Sequence, residues 1–184
     1  MSHAQEDAPW WQDVYRSAFP DLQSMVSVRQ DGWAQRGGID RVLTLSSGKT
    51  YSVDEKVRYK DYGDVLLEFW SVFRGNYPDG RGEKKGWVAQ DLACDFIAYA
   101  VVPTQRCLLL PFQTLRSAWR ANHKVWVNLA RSQSDGFRLS IADNGMYQTV
   151  SVCVPQDCLL SALRDAMIIP WAQEKRAARN NGAR

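Results

Sequence analysis

Apolar and polar residues recur along this chain with two periods, and the periods predict its elements. From Pro9 to Phe19, PWWQDVYRSAF, residues Trp10, Trp11, Val14, Tyr15 and Ala18 recur at helical spacing ahead of Pro20. That pattern predicts an amphipathic helix with Pro9 near its first turn. MVSVRQ fits either a short strand or a loop. GIDRVLTL and KTYSVDEKVRY both alternate, with SSG between them, and read as a β-hairpin. After KDYGD comes a third strand, DVLLEFWSV, and then FRGNYPDGRGEKKG, a Gly- and charge-rich stretch that predicts a mobile loop. VAQDLACDFIAYAVV is expected to start as a short helix and to finish as a strand from about Asp95 to Val102. QRCLLLPF predicts a further strand, and FQTLRSAWRANHKVW a helix through Leu115, Ala118, Trp119 and Asn122. FRLSIA, a turn at DNG and YQTVSVCVP form a second hairpin. QDCLLSALRDAMI closes as a helix. A helix, a strand meander and then mixed helix and strand predict an α/β (mixed α+β) fold with a central sheet. Without repeats or low-complexity linkers, one domain is expected over residues 1–170, followed by a basic, flexible tail over 171–184.

Composition changes this picture only a little. At 184 residues and 45% apolar content, the chain supplies one sizeable core. No run approaches the ~20 apolar residues that a bilayer span needs, so no membrane partner is expected. The start, MSHAQEDAPWWQ, is acidic and unlike a secretion signal, which predicts a cytoplasmic protein. Cys94, Cys107, Cys153 and Cys158 form no CxxC pair, and His3 and His123 add no zinc spacing; buried free thiols are expected. The net charge of +3 resides in the tail after Pro170, where Lys175, Arg176, Arg179 and Arg184 outweigh Glu174. A neutral body with a basic end is weak support for a polyanion partner.

The first hairpin carries the chemistry. With Ser46, Ser47 and Gly48 as a bulged three-residue loop, Leu45 faces Lys49 and the register brings Asp40 opposite Asp54. Lys56 then shares their face, together with Val42 and Ser52, while Leu43, Tyr51, Val53 and Val57 take the other. A two-residue loop would oppose Asp40 to Glu55 and separate the group; the three-residue loop is preferred because it joins Val53 and Val57 to Leu43 in the core. Two adjacent carboxylates raise each other's pKa unless a cation sits between them. A hard divalent ion suits such oxygen ligands, and a lysine beside it can stabilise charge on a phosphate. The plain alternative, a surface hairpin with an Asp–Lys cross-strand pair, is common in any sheet, and on spacing alone it is the commoner explanation.

GGID, thirteen residues and then DEK, in hairpin context, resembles the PD-(D/E)XK nuclease superfamily over roughly Trp10 to Pro111, particularly small members encoded by phages or mobile elements. The resemblance implies a restriction-endonuclease-like core, a central mixed sheet flanked by helices. It also implies a Mg²⁺-dependent (or Mn²⁺-dependent) DNA endonuclease. Asp40 and Asp54 match the metal ligands, the backbone carbonyl of Glu55 a further one, and Lys56 the catalytic lysine. Ile39 stands where the pattern has a proline. The alternative is a nuclease-like protein without catalysis that binds DNA or regulates a partner. For cutting both strands of a duplex, a homodimer is expected.

Other residues carry two readings each. Glu68 extends the metal site or is an ordinary hydrogen-bonded glutamate. Gln35 and Arg36 touch a phosphate or stabilise their loop. Arg58 and Lys60 track a DNA backbone, and Arg74, Arg81, Lys84 and Lys85 ride the expected mobile loop as further DNA contacts. Asp95 and Tyr99 are expected to be structural, as is His123. Most tryptophans are expected in the core.

Overall fold

The chain begins its fold with a helix that covers a sheet. The computed structural model describes residues 8–163 and 167–170, so the tail expected over 171–184 lies outside the described residues. Helix α1 (Trp10–Ala18) follows Pro9 and buries Trp11, Val14 and Tyr15, the i, i+3, i+4 stripe expected of it. Fully burying each of these large side chains contributes on the order of 1.5–3 kcal/mol. The ambiguous segment after it is strand β1 (Leu22–Ser27). A short helix, α2 (Gly32–Arg36), follows; Asp31 caps it by accepting from the Trp33 and Ala34 N–H groups at 2.8 and 3.2 Å.

Strands β2 (Arg41–Leu45) and β3 (Thr50–Arg58) form the expected hairpin. Gly48 takes φ +81°, and the Leu45 N–H donates to the Lys49 carbonyl at 2.8 Å, as a bulged three-residue loop requires. Pairing of Arg41 with Val53 and of Thr44 with Thr50 confirms the register.

The third strand departs from expectation. Strand β4 (Asp64–Arg74) joins a second sheet, because the free side of β3 is taken by β6 (Phe96–Val101), which runs parallel to it. FIAYAV suits that central place, since both of its faces are covered by apolar side chains. The predicted mobile loop is also ordered: β5 (Arg81–Lys85) pairs back on β4. Gly82 permits this, because a Cβ there would lie 2.5 Å from the Trp70 ring.

The helix expected before β6 is absent. Backbone groups there bond to neighbours, Ala93 N–H to the Gly37 carbonyl and Asp95 N–H to the Ser52 carbonyl, both at 2.8 Å. Strand β7 (Arg106–Pro111) returns antiparallel beside β6 and leads into α3 (Phe112–Ser132). The second hairpin, β8 (Arg138–Asp143) and β9 (Gln148–Pro155), follows as expected. Helix α4 (Gln156–Ala162) stops earlier than its periodicity suggested, and β10 (Met167–Pro170) pairs with the edge of β7. The open ladder of β7 offers those residues hydrogen-bond partners that a helix would compete for.

The result is a mixed α/β fold. One sheet has the order β1-β2-β3-β6-β7-β10, the other β5-β4-β9-β8. On one face of the first sheet, Leu43, Val53, Ala98 and Leu109 pack under α1. On its other face, Ile97, Tyr99, Leu108 and Leu110 pack against Val65, Leu67, Val150 and Val152 of the second sheet and against α3. No helix among the described residues is long and apolar enough to cross a membrane.

Candidate functional site

Asp40 enters the hairpin on a backbone held from two sides. Its carbonyl accepts from the Val28 N–H and its own N–H donates to the Val53 carbonyl, each at 2.9 Å. The turn before it needs Gly38, at φ +67°, where a Cβ would press on the Leu92 side chain at 2.9 Å. The Asp40 carboxylate then accepts the Glu55 N–H at 2.8 Å and lies 3.4 Å from Arg29.

Asp54 sits opposite on β3. The Lys56 ammonium contacts its carboxylate at 2.6 Å. The segment after β5 closes over this corner: the Trp87 ring centre is 5.9 Å from the ammonium, and Trp87 and Cys94 are both buried. Asp54 itself is only 4% exposed. Burial pushes its carboxyl up to about 7; the Lys56 ammonium opposes the rise and the nearby Asp40 carboxyl adds to it. The Cys94 thiol is pushed up to about 12, chiefly by burial and then by Asp54 beside it.

Asp40, Asp54 and Lys56 thus lie together on the face opposite α1. Glu68 stays on β4, where its side chain bonds to Ser71. Among the described residues no third His, Cys, Asp or Glu completes a metal-binding group. Two carboxylates with one of them held near neutrality remain a fitting donor set for a hard cation, since Mg²⁺ binds through one or two carboxylates and keeps several waters.

The sequence reading missed the side chain of Glu55. It points to the α1 face, where Arg41 Nε donates to it at 2.6 Å, Arg29 at 2.6 Å and the Tyr15 hydroxyl at 2.7 Å. The Tyr15 hydroxyl is driven well above its ordinary range, first by burial and then by Glu55. The signal was present in the hairpin register, which puts Arg41 and Glu55 on the same face as Val53. An acid on an apolar face requires buried cations nearby.

The expected DNA contacts are dispersed. Gln35 bonds to the Arg29 carbonyl, and Arg36 donates to the Gly32 carbonyl at 3.1 Å while lying 4.6 Å over Trp33. Arg58 pairs with Asp64 at 3.7 Å. Lys60 is exposed in the turn after β3. Arg74 is held by Glu83 at 3.0 Å and by the Met146 carbonyl at 2.9 Å, whereas Arg81, Lys84 and Lys85 stand exposed on β5. Asp95 and Tyr99 are structural as expected: Asp95 accepts from the Ser52 N–H at 2.7 Å, and the Tyr99 hydroxyl oxygen accepts from the Leu66 N–H at 3.0 Å.

Set against known proteins, no family profile and no curated sequence matches this chain. Among solved structures, the chain is similar to the restriction endonuclease BglI bound to its DNA recognition sequence. The two are 10% identical with a TM-score of 0.35, over 81% of this chain and 60% of that one. The chain therefore spans less than two thirds of that protein's length, and at this level the likeness carries no weight for the site.

Proposed function

We propose that this chain is a metal-dependent DNA nuclease with a restriction-endonuclease-like core. The observation that carries the reading is the meeting of buried Asp54 with the partly exposed Asp40 and Lys56 at one end of the first hairpin. Asp40, Asp54 and the Glu55 carbonyl would hold Mg²⁺ or Mn²⁺. When bound, such a cation supplies Lewis acidity toward a phosphodiester. Asp54, poised near neutrality, gives up its proton readily as a positive charge approaches. Lys56 contributes a second positive charge toward a scissile phosphate and orients a water through its remaining N–H donors. The Glu55 N–H fixes the Asp40 carboxylate, and the Glu55 side chain, clamped by Arg29 and Arg41, fixes the strand that carries Asp54 and Lys56.

A second reading, a nuclease-like protein that binds DNA without cutting it, is favoured by the Lys56–Asp54 contact. There an ammonium already occupies a carboxylate oxygen that a metal would need.

The test is cleavage of plasmid, single-stranded and branched DNA with Mg²⁺, using Asp54→Ala and Lys56→Ala as controls. The nuclease reading expects cutting by the wild type and a loss of roughly 10²–10³-fold in each variant, the usual cost of removing a charge-stabilising group. Cutting that survives both substitutions removes this site from consideration. Salt-sensitive DNA binding without cutting selects the second reading.

A further inference from the structure

Helix α3, FQTLRSAWRANHKVWVNLARS, contains no aspartate or glutamate in 21 residues. Its cations Arg116, Arg120, Lys124 and Arg131 fall at steps of four, four and seven, so they run along one side of the helix. Arg116 is paired with Asp91, and Arg131 donates to the Tyr77 hydroxyl at 2.8 Å. Arg120 and Lys124 are exposed and have no ion-pair partner among the described residues.

Beside this row lies a groove of about 440 Å³ between α3 and β4. Its floor is apolar and aromatic, made by Phe69, Trp70, Trp119 and Val127, and Lys124 and Arg131 stand on its wall. Trp70, half-buried, is the cross-strand partner of Lys85 on β5. A short backbone path links the groove to the carboxylate corner. The Phe69 carbonyl accepts from the Gly86 N–H at 2.9 Å, and the next residue, Trp87, is the one over Lys56.

We propose that this groove binds single-stranded nucleic acid, with bases on the Trp70 floor and phosphates along Arg120, Lys124 and Arg131. A cationic row beside an aromatic floor meets both halves of an unpaired strand, its charged backbone and its open base faces. Cations four residues apart on a helix rise by ~6 Å, a step close to that between phosphates in a stretched strand. A duplex presents phosphates alone and leaves the apolar floor uncovered. The assignment depends on the nuclease reading only in naming a substrate for it; binding stands independently of catalysis.

The experiment uses the full chain in chelator, so that cutting plays no part. Fluorescence anisotropy follows a labelled oligothymidine, a blunt duplex of the same length and a polyglutamate competitor across a salt series. Each cation that neutralises a phosphate on a single strand adds about 0.7 to the slope of log K against log salt. The double variant Arg120→Gln/Lys124→Gln is therefore expected to flatten the slope by about 1.4. Arg16→Gln, an exposed cation on α1, should leave the slope unchanged, and melting curves establish that all variants are folded. Oligothymidine bound more tightly than duplex, with the slope change confined to the α3 variant, supports the groove. An unchanged slope, an equal effect from Arg16→Gln or tighter duplex binding overturns it. Displacement of the oligonucleotide by polyglutamate at equal charge overturns it in favour of an acidic protein partner. Mg²⁺-dependent cutting that is unaltered in the double variant would keep the carboxylate site and remove the groove as the place where its substrate binds; strand binding without any cutting would keep the groove and remove the nuclease reading.

Discussion

Replacing Asp54 with asparagine isolates the electrostatic cost on which the site depends. The asparagine keeps the shape of the protonated carboxyl and cannot ionise. The Asp54 carboxyl has an ordinary value of 3.8 and stands at about 7 in the folded chain. Below pH 4 it is protonated in both folded and unfolded chains and contributes no difference. Between pH 4 and 7 the unfolded chain releases the proton first, so folding stability falls as pH rises. Above pH 7 both states are ionised and the loss is complete. A shift of about three units corresponds to roughly 4 kcal/mol, against a total of ~5–15 kcal/mol for a typical domain. Urea unfolding of wild type and Asp54→Asn in chelator, at pH 4, 6 and 8, reads the effect. The variant is expected to gain on the wild type by about 4 kcal/mol across that range. Saturating Mg²⁺ at pH 8 should return stability to the wild type alone, about 2.7 kcal/mol at a hundred times its Kd. A stability gap that stays flat with pH, or a variant less stable at pH 8, would mean that Lys56 fully compensates the buried charge. The argument for a cation at this corner would then fail.

Two further substitutions probe the supports of the site. Glu55→Ala removes the carboxylate that accepts from Arg41, Arg29 and the buried Tyr15 hydroxyl, and a loss of about 2–4 kcal/mol is expected from these charge-assisted hydrogen bonds; a urea-derived loss below 1 kcal/mol would contradict a structural role for that cluster. Gly38→Ala forces a side chain into φ +67° and against Leu92. It should cost about 1–3 kcal/mol and reduce cleavage through displacement of Asp40, whereas unchanged activity and melting temperature would show that the turn does not position the acid.

The hairpin was legible because its physics is local. SSG sets the loop, the loop sets the register, and the register puts Asp40, Asp54 and Lys56 on one face. The amphipathic stripe of α1 and the second hairpin followed from periodicity in the same way. The errors came where several partners competed for one segment. DVLLEFWSV has the alternation of a strand but nothing in it says which sheet it joins, and β6 claimed the place beside β3. The end of the α4 pattern met the open edge of β7 and became a strand. The segment before β6 had its N–H groups taken by Gly37 and Ser52, which left no helix to form.

The sequence by itself determined which side chains share a face of the hairpin, since that needs only a period of two and a turn. Tertiary structure alone decided their electrostatics. The Asp54 carboxyl is pushed up because the assembled layers, with Trp87 and Cys94 at this corner, bury it. The Glu55 side chain is accommodated on an apolar face because Arg29, Arg41 and Tyr15 converge on it from the segment after β1, from β2 and from α1. Burial is a property of the assembled layers, and no short stretch of chain carries it.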